Sequence, residues 1–350
     1  MRLGLPVPVL INPVSTPSVS YSTFFFQFIA AAEMLSRAAL LFFALTSFIS
    51  HATARTLHAR PQPRSTYPFN QIVAFGDELS DNGNGSYAHG ITGSPANVYG
   101  FGTWTNGPVA VSYLSSLLST PLQDFAYGGC CGGGSFGATL DNTYTVSPAK
   151  SPSLVDQIKN YTSGDHSNIK NALQFVWIGQ NDLDVHTDAF WLTDPKNAEF
   201  ATAFSSKIAV SVQTLLDSGA PYVFVANIYP KHLAPVTPKY LCASNSGCTS
   251  TFGKIIQNAN SALETSLKQF GSKVIYYDVY SFMTGLLSNA PATGFTKSLA
   301  KFCDGDGDAA WNDCMVSGNA PEYFWMNFQQ PTARVHQVSC IRLEKEWDGY

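Results

Sequence analysis

Short apolar runs alternate with longer amphipathic stretches from about residue 68 to the end of the chain. The apolar runs have the length of strands, and the amphipathic stretches carry apolar residues at helical spacing. Strands that alternate with helices predict a parallel sheet covered by helices on both faces. The five predicted strands are Gln71–Phe75, Gln123–Ala126, Leu173–Ile178, Tyr222–Ile228 and Lys273–Val279.

Proline and glycine mark several ends of the predicted helices. Pro108 and Pro331 each fall in the first turn of a predicted helix, where a missing N–H costs nothing. The long helix at 198–218 stops at Gly219, as helices commonly do. The predicted helices are Pro108–Leu118, Pro152–Tyr161, Ser167–Ala172, Ala198–Ser218, Lys254–Phe270 and a last one starting near Pro331.

The N-terminal region predicts a signal peptide at residues 34–54. A short basic start precedes an apolar run at 38–49, and Ala52-Thr53-Ala54 forms a small-x-small cleavage site. We therefore expect a secreted protein whose mature chain begins near Arg55. The predicted organisation is an upstream extension at 1–33, the signal peptide at 34–54, a linker at 55–67 and a single domain at 68–350.

A signal anchor reaching back through the phenylalanines at 24–26 is the alternative, although Glu33 and Arg37 interrupt that longer run. No later segment offers the ~20 apolar residues that a membrane span needs, so we expect no stable membrane insertion. The net charge of −4 and the absence of a basic cluster argue against nucleic acid as a partner. The pattern leaves the oligomeric state open.

The cysteines fit an oxidising compartment. Two pairs bracket short polar loops and predict local disulfides, whereas no CxxC spacing suggests zinc, and we expect neither a metal nor a cofactor. Sequons at Asn84 and Asn160 predict glycosylation, the second in a surface turn. The predicted pairs are Cys242–Cys248 and Cys303–Cys314, with Cys130 and Cys131 adjacent and Cys340 unassigned.

The segment from Val73 to Asn84 carries the strongest chemical signal. A buried strand runs into a Gly-Asp turn and then into polar residues typical of a helix start, as in α/β hydrolytic enzymes that present a nucleophile at the end of the first strand. The segment resembles the first signature block of the GDSL, or SGNH, ester hydrolase family. The family has serine where this chain has Glu78.

Two further segments resemble blocks of the same family. Gly129, preceded by Gly128, matches the glycine whose backbone N–H contributes to the oxyanion hole, and Asn181 matches the side-chain donor. An amide suits that role because it donates without carrying a titratable charge. Asp77 and Asp182 match positions beside the nucleophile and the donor. Read alone, the glycines are typical of an ordinary strand-to-helix turn, and the Asn-Asp pair is typical of a helix cap.

The last block also departs from the family pattern, which is Asp-x-x-His-Pro-Thr. Alignment on Pro331 puts Gln330 at the histidine position and Asn327 at the aspartate position. Neither side chain accepts a proton near neutral pH, so no base remains at the matched position. His336 lies nearly two helical turns beyond Gln330, on a different face, and is interpreted as structural.

The resemblance implies a three-layer α/β/α, flavodoxin-like fold and an ancestral activity on carboxylic esters. Within the family the chain looks most like fungal carbohydrate esterases, so the implied ligand is an acylated carbohydrate or another small ester. One hypothesis is a silent protein in which an ionised Glu78, at a helix N-terminus, fills the oxyanion hole. The other is an active hydrolase that uses Glu78 as a base on water, or Ser80 as a displaced nucleophile. A helix N-cap is the more ordinary interpretation of Ser80.

Overall fold

The structure is a computed structural model that describes residues 67–83, 103–129, 137–144, 151–164, 168–185, 194–304 and 306–347. The predicted upstream extension and signal peptide lie outside these residues, as does nearly all of the predicted linker. The Asn84 sequon and the adjacent Cys130 and Cys131 also lie outside them.

Five parallel strands form one sheet in the order β2-β1-β3-β4-β5. β1 and β3 pair along their full lengths, from Gln71 opposite Ala172 to Gly76 opposite Trp177. The prediction of a flavodoxin-like parallel sheet of about five strands is therefore confirmed. The strands are β1 Gln71–Gly76, β2 Leu122–Asp124, β3 Ala172–Trp177, β4 Tyr222–Ala226 and β5 Val274–Tyr277.

Side chains that alternate along the strands separate two apolar cores. In β1, Ile72 and Ala74 belong to one core, and Val73 and Phe75 belong to the other. Each side of the sheet is thus buried by its own helices, which explains why the strands read as nearly continuous apolar runs. The result is the predicted three-layer α/β/α arrangement.

The helices divide between these two cores according to their buried side chains. α1, α6 and α8 contribute to the core containing Ile72, while α2, α4 and α5 contribute to the core containing Val73. The helices in the described residues are α1 Ala110–Leu117, α2 Leu154–Ser163, α3 Gln180–Val185, α4 Asp194–Asp217, α5 Ser246–Leu267, α6 Val279–Ser288, α7 Asp308–Trp311 and α8 Ala333–Trp347.

Several predicted ends are wrong for local reasons. α2 starts at Leu154 because the Ser153 hydroxyl accepts from the Asp156 N–H and the Asp156 carboxylate accepts from the Ser153 N–H, which closes a capping box. The helix predicted at 167–172 is only a 3₁₀ turn at Ile169–Asn171. Pro331 is not in the first turn of α8, since it forms an antiparallel bridge with Trp325.

Further predictions concern a sequon, membrane spans and the cysteines. The Asn160 side chain is exposed but lies within α2 and not in a turn. Among the described residues, no helix combines the length and hydropathy that a membrane span requires. Both predicted disulfides, Cys242–Cys248 and Cys303–Cys314, are present, and Cys340 is buried in α8.

The two disulfides should differ in their contribution to stability. Replacing Cys242 and Cys248 by alanine should lower the free energy of unfolding by about 2 kcal/mol, and replacing Cys303 and Cys314 by about 3 kcal/mol. The difference follows from sequence separations of 6 and 11 residues, since the longer loop restricts the unfolded chain more. Urea unfolding followed by circular dichroism measures both values. Losses near zero for both pairs would contradict a stabilising role.

Candidate active site

The turn that follows β1 places Glu78 at the carboxyl edge of the sheet. Gly76 packs so closely on β3 that a Cβ there would lie 2.2 Å from the Trp177 carbonyl oxygen. The Asp77 carbonyl then accepts from the N–H groups of Ser80 and Asp81, at 3.0 and 2.9 Å. Residues 77–83 form turns and bends, so the expected helix start directly after β1 is wrong within this described segment.

Three of the residues predicted for the site meet at the Glu78 carboxyl group. Asn181 Nδ2 donates to Glu78 Oε2 at 2.8 Å, and Gln330 Nε2 donates to Glu78 Oε1 at 3.1 Å. Glu78 is only 2% exposed. The carboxyl group is therefore enclosed between two side-chain amides that come from distant parts of the chain.

The two predicted oxyanion-hole glycines have different surroundings. The Gly128 N–H donates to Asp81 Oδ2 at 2.7 Å and is therefore committed to the turn after β1. The Gly129 nitrogen faces Gly137, where a Cβ would lie 3.1 Å from that nitrogen and 2.1 Å from Glu78 Oε2. Gly129 is thus the better placed of the two predicted donors.

Gly137 belongs to the site, although the motif comparison did not find it. A side chain there would also lie 2.8 Å from Asn181 Nδ2, so only glycine leaves room for both the carboxyl group and the amide. The available signal was its place at the end of a glycine-rich run that starts at Gly128.

Asn327 controls the backbone of Gln330. Asn327 Oδ1 accepts from the backbone N–H groups of Gln329 and Gln330, at 3.0 and 2.8 Å. This is a side-chain turn of the kind that Asn and Asp both form. Gln330 Oε1 is buried without a hydrogen-bond partner among the described residues, so that amide has one unused acceptor.

Asp77 and Asp182 hold backbone around the site. Asp77 Oδ1 accepts from the Leu79 N–H at 3.0 Å and from Gln180 Nε2 at 3.3 Å. Both carboxylate oxygens of Asp182 accept from the Leu140 N–H, at 3.1 and 3.2 Å. Asp77 thus fixes the turn that carries Glu78. Asp182 fixes the backbone at Leu140, which follows Gly137.

The profile of the GDSL-like Lipase/Acylhydrolase family matches residues 72–308, which include the β1 turn, Gly129 and Asn181. The chain belongs to this family.

Individual relatives are distant. A GDSL esterase/lipase of Arabidopsis thaliana is 24% identical over 289 residues, covering 70% of this chain and 78% of the relative. Lipase 1 of Photorhabdus luminescens is 27% identical over 199 residues, covering 55% of this chain, and the match spans only 27% of that lipase's own length. The crystal structure of a phospholipase A1 from Streptomyces albidoflavus matches with 15% identity and a TM-score of 0.40, over 79% of this chain and 99% of that one.

Burial dominates the electrostatics of this family member's site. Burial raises the pKa of Glu78 to about 7, against lowering effects of the Asn181 hydrogen bond and the Lys231 charge. Burial also raises the pKa of Asp77 well above its usual range, and the neighbouring Glu78 charge adds to that rise. The expected hydrogen bonding of Glu78 to Asn181 is present, whereas a pKa of about 7 argues against the expected full ionisation at neutral pH.

His336 and Ser80 are buried, and neither hydrogen-bonds to the Glu78 carboxyl group within the described residues. His336 Nδ1 accepts from the Ala110 N–H at 3.3 Å, the ring packs edge-on against Trp177, and burial lowers the His336 pKa to about 3. Ser80 Oγ is buried without a hydrogen-bond partner among the described residues, so Ser80 does not act as a helix cap. In the described ranges, no group of three His, Cys, Asp or Glu side chains could hold a metal ion.

Gly137→Ala should destabilise the protein by about 1–3 kcal/mol, because the added methyl group would press on Glu78 Oε2 and Asn181 Nδ2. Chemical denaturation measures the loss. Gly285→Ala is the matched control, since nothing lies within 4 Å of a Cβ at that exposed position of α6. It should stabilise by about 0.5–1 kcal/mol. In a Glu78→Ala background the Gly137→Ala loss should shrink, and an unchanged loss would place the clash elsewhere.

Glu78→Gln should raise the melting temperature by several degrees at pH 8 and by much less at pH 4. The pKa of Glu78 rises from 4.5 to about 7 on folding, so the folded state binds the proton more tightly than the unfolded chain. Wild-type stability is therefore lost as pH rises from about 4.5 through 7. The glutamine is neutral throughout, and its amide can donate to Gln330 Oε1 once that side chain rotates. If the melting temperature of Glu78→Gln does not exceed that of wild type by more at pH 8 than at pH 4, the raised pKa is contradicted.

Proposed function

We propose that this chain is a secreted GDSL-family protein that has lost ester hydrolysis and retains its cleft as a binding site. The observation that carries the proposal is the hydrogen bonding of both Glu78 oxygens by Asn181 and Gln330. A carboxyl group stands where the family has a hydroxyl nucleophile. It also engages the amide that would otherwise stabilise an oxyanion, so the resident carboxyl group mimics the bound oxyanion.

The second reason is the missing base. Ester hydrolysis by a serine nucleophile needs a proton acceptor within reach of the serine and a carboxylate that orients this acceptor. Gln330 donates to Glu78 and is not basic, and the Asn327 side chain hydrogen-bonds the backbone and carries no charge. All three functions of the triad are therefore absent at the matched positions.

Secretion and ligand class are parts of the same proposal. The signal-like pattern at residues 34–54 and the two disulfides support passage through an oxidising compartment. The ligand would be an acylated carbohydrate or another small ester, by the resemblance to fungal carbohydrate esterases. Binding without turnover is the proposed outcome for such a ligand.

A second candidate is an active ester hydrolase in which Glu78 is a general base on water. The observation that favours it is the Glu78 pKa of about 7, close to the value that suits a general base at neutral pH. Against it, the carboxyl group is 2% exposed and both of its oxygens are already hydrogen-bonded. A negative charge there would also oppose the oxyanion that forms beside it.

Restoring the triad should restore activity. The triple variant Glu78→Ser, Asn327→Asp, Gln330→His should hydrolyse p-nitrophenyl acetate at least about 100-fold faster than wild type, because triad residues act as a unit. Glu78→Ser alone should gain little, since an unassisted hydroxyl is a weak nucleophile. The wild-type chain should show neither turnover nor labelling by a fluorophosphonate.

Two controls make the test specific. Adding Asn181→Ala to the triple variant should reduce the recovered kcat by about 10²–10³-fold, because it removes an oxyanion donor. Wild-type turnover of p-nitrophenyl acetate with an inflection near pH 7 that disappears in Glu78→Gln would instead establish the general-base candidate. Wild-type turnover that survives Glu78→Ala would put the catalytic centre at another place. It would overturn both the silent-protein proposal and the general-base candidate.

A further inference from the structure

Lys231, in the segment after β4, is a lysine whose side chain is entirely enclosed. Its exposed fraction is 0%, which is rare for lysine unless the ammonium group is paired. Lys231 Nζ donates to Asp184 Oδ2 at 2.7 Å and to the Gln180 carbonyl oxygen at 3.3 Å. The only sequence signal for this lysine is its position just after an apolar strand.

The two acceptors of Lys231 lie on either side of Asn181. Gln180 immediately precedes Asn181, and Asp184 follows it by three residues, within the short helix α3. The Gln180 side chain also donates to Asp77 Oδ1, in the turn that carries Glu78. The ammonium group therefore hydrogen-bonds to the helical turn that carries Asn181, whose amide donates to Glu78.

Charged and titratable groups converge on Glu78 from each neighbouring segment. Asp77 lies beside it in the β1 turn, Asp184 comes from α3, and Tyr229 and Lys231 come from the segment after β4. Burial raises the pKa of Tyr229, and the Asp184, Glu78 and Asp77 charges add to that rise. The positive charge of Lys231 lowers the pKa of both Glu78 and Asp77, and so opposes the effect of burial.

We propose that Lys231 is the positioning residue of this site. Its ammonium group fixes the Asn181-bearing turn of α3, and its positive charge favours the ionised form of the nearby Glu78 carboxyl group. The inference rests on the contacts of Lys231 and not on the absence of hydrolysis. It is therefore tested by the titration of Glu78, whatever the outcome of the activity measurements.

The test is the titration of the Glu78 carboxyl group in the full-length chain. Carbon-13 NMR of glutamate side-chain carboxyls follows the midpoint, and the signal missing in Glu78→Gln assigns it. Lys231→Met should raise the midpoint measurably, since it removes a positive charge that lowers the Glu78 pKa. Lys231→Arg keeps the charge, so its midpoint should stay near that of wild type. The Asn181 side-chain amide resonances should shift in Lys231→Met and much less in Lys231→Arg.

Asp184→Asn should move the Glu78 titration midpoint in the opposite direction. It keeps the size of the side chain and removes a negative charge that raises the Glu78 pKa, so the midpoint should fall. This variant carries the test if Lys231→Met does not fold. A folded Lys231→Met protein with an unchanged midpoint, or an Asp184→Asn midpoint that stays or rises, would overturn the proposal. A purely structural lysine would change the unfolding free energy in these variants without moving either midpoint.

Discussion

The burial of the Glu78 carboxyl group between two amides is the constraint on which the rest of the site depends. Its donors, Asn181 and Gln330, are 103 and 252 positions away along the chain. A buried carboxyl group without such partners would be strongly unfavourable. The turn after β1, the start of α3 and the turn before α8 must therefore meet within hydrogen-bond distance, which only the assembled sheet allows.

Each of those segments is held by a polar side chain of its own. Asp77 accepts from the backbone of its own turn, Asp182 accepts from the Leu140 N–H, and Asn327 accepts from two N–H groups of the last turn. These contacts do not require a nucleophile or a base. If Glu78, Asn327 and Gln330 occupy the triad positions, as we propose, the geometry of a hydrolase site thus persists after its three reactive residues have changed.

The central strands could be predicted because they are buried on both faces and read as apolar runs, as in Leu173–Ile178. The ends of helices were harder, since a capping box at Ser153 and a bridge at Pro331 decide them locally. Motif spacing placed Glu78, Asn181 and Gln330 in one candidate site, and the structure brings their side chains into contact. Gly137 and Lys231 could not be predicted, because their roles arise from contacts that only the folded chain brings together.

The residues at positions 78, 327 and 330 are compatible with one another in physical terms. An amide at Gln330 donates to Glu78 when the carboxyl group is ionised, and its unused Oε1 can accept after rotation when the group is protonated. Asn327 supplies through Oδ1 the same turn contacts that an aspartate would, without adding a further negative charge next to Gln330. A histidine at position 330 or an aspartate at position 327 would instead add a second titratable group next to these contacts. With glutamine at position 330, the Glu78 carboxyl group has a hydrogen-bond partner both when it is ionised and when it is protonated.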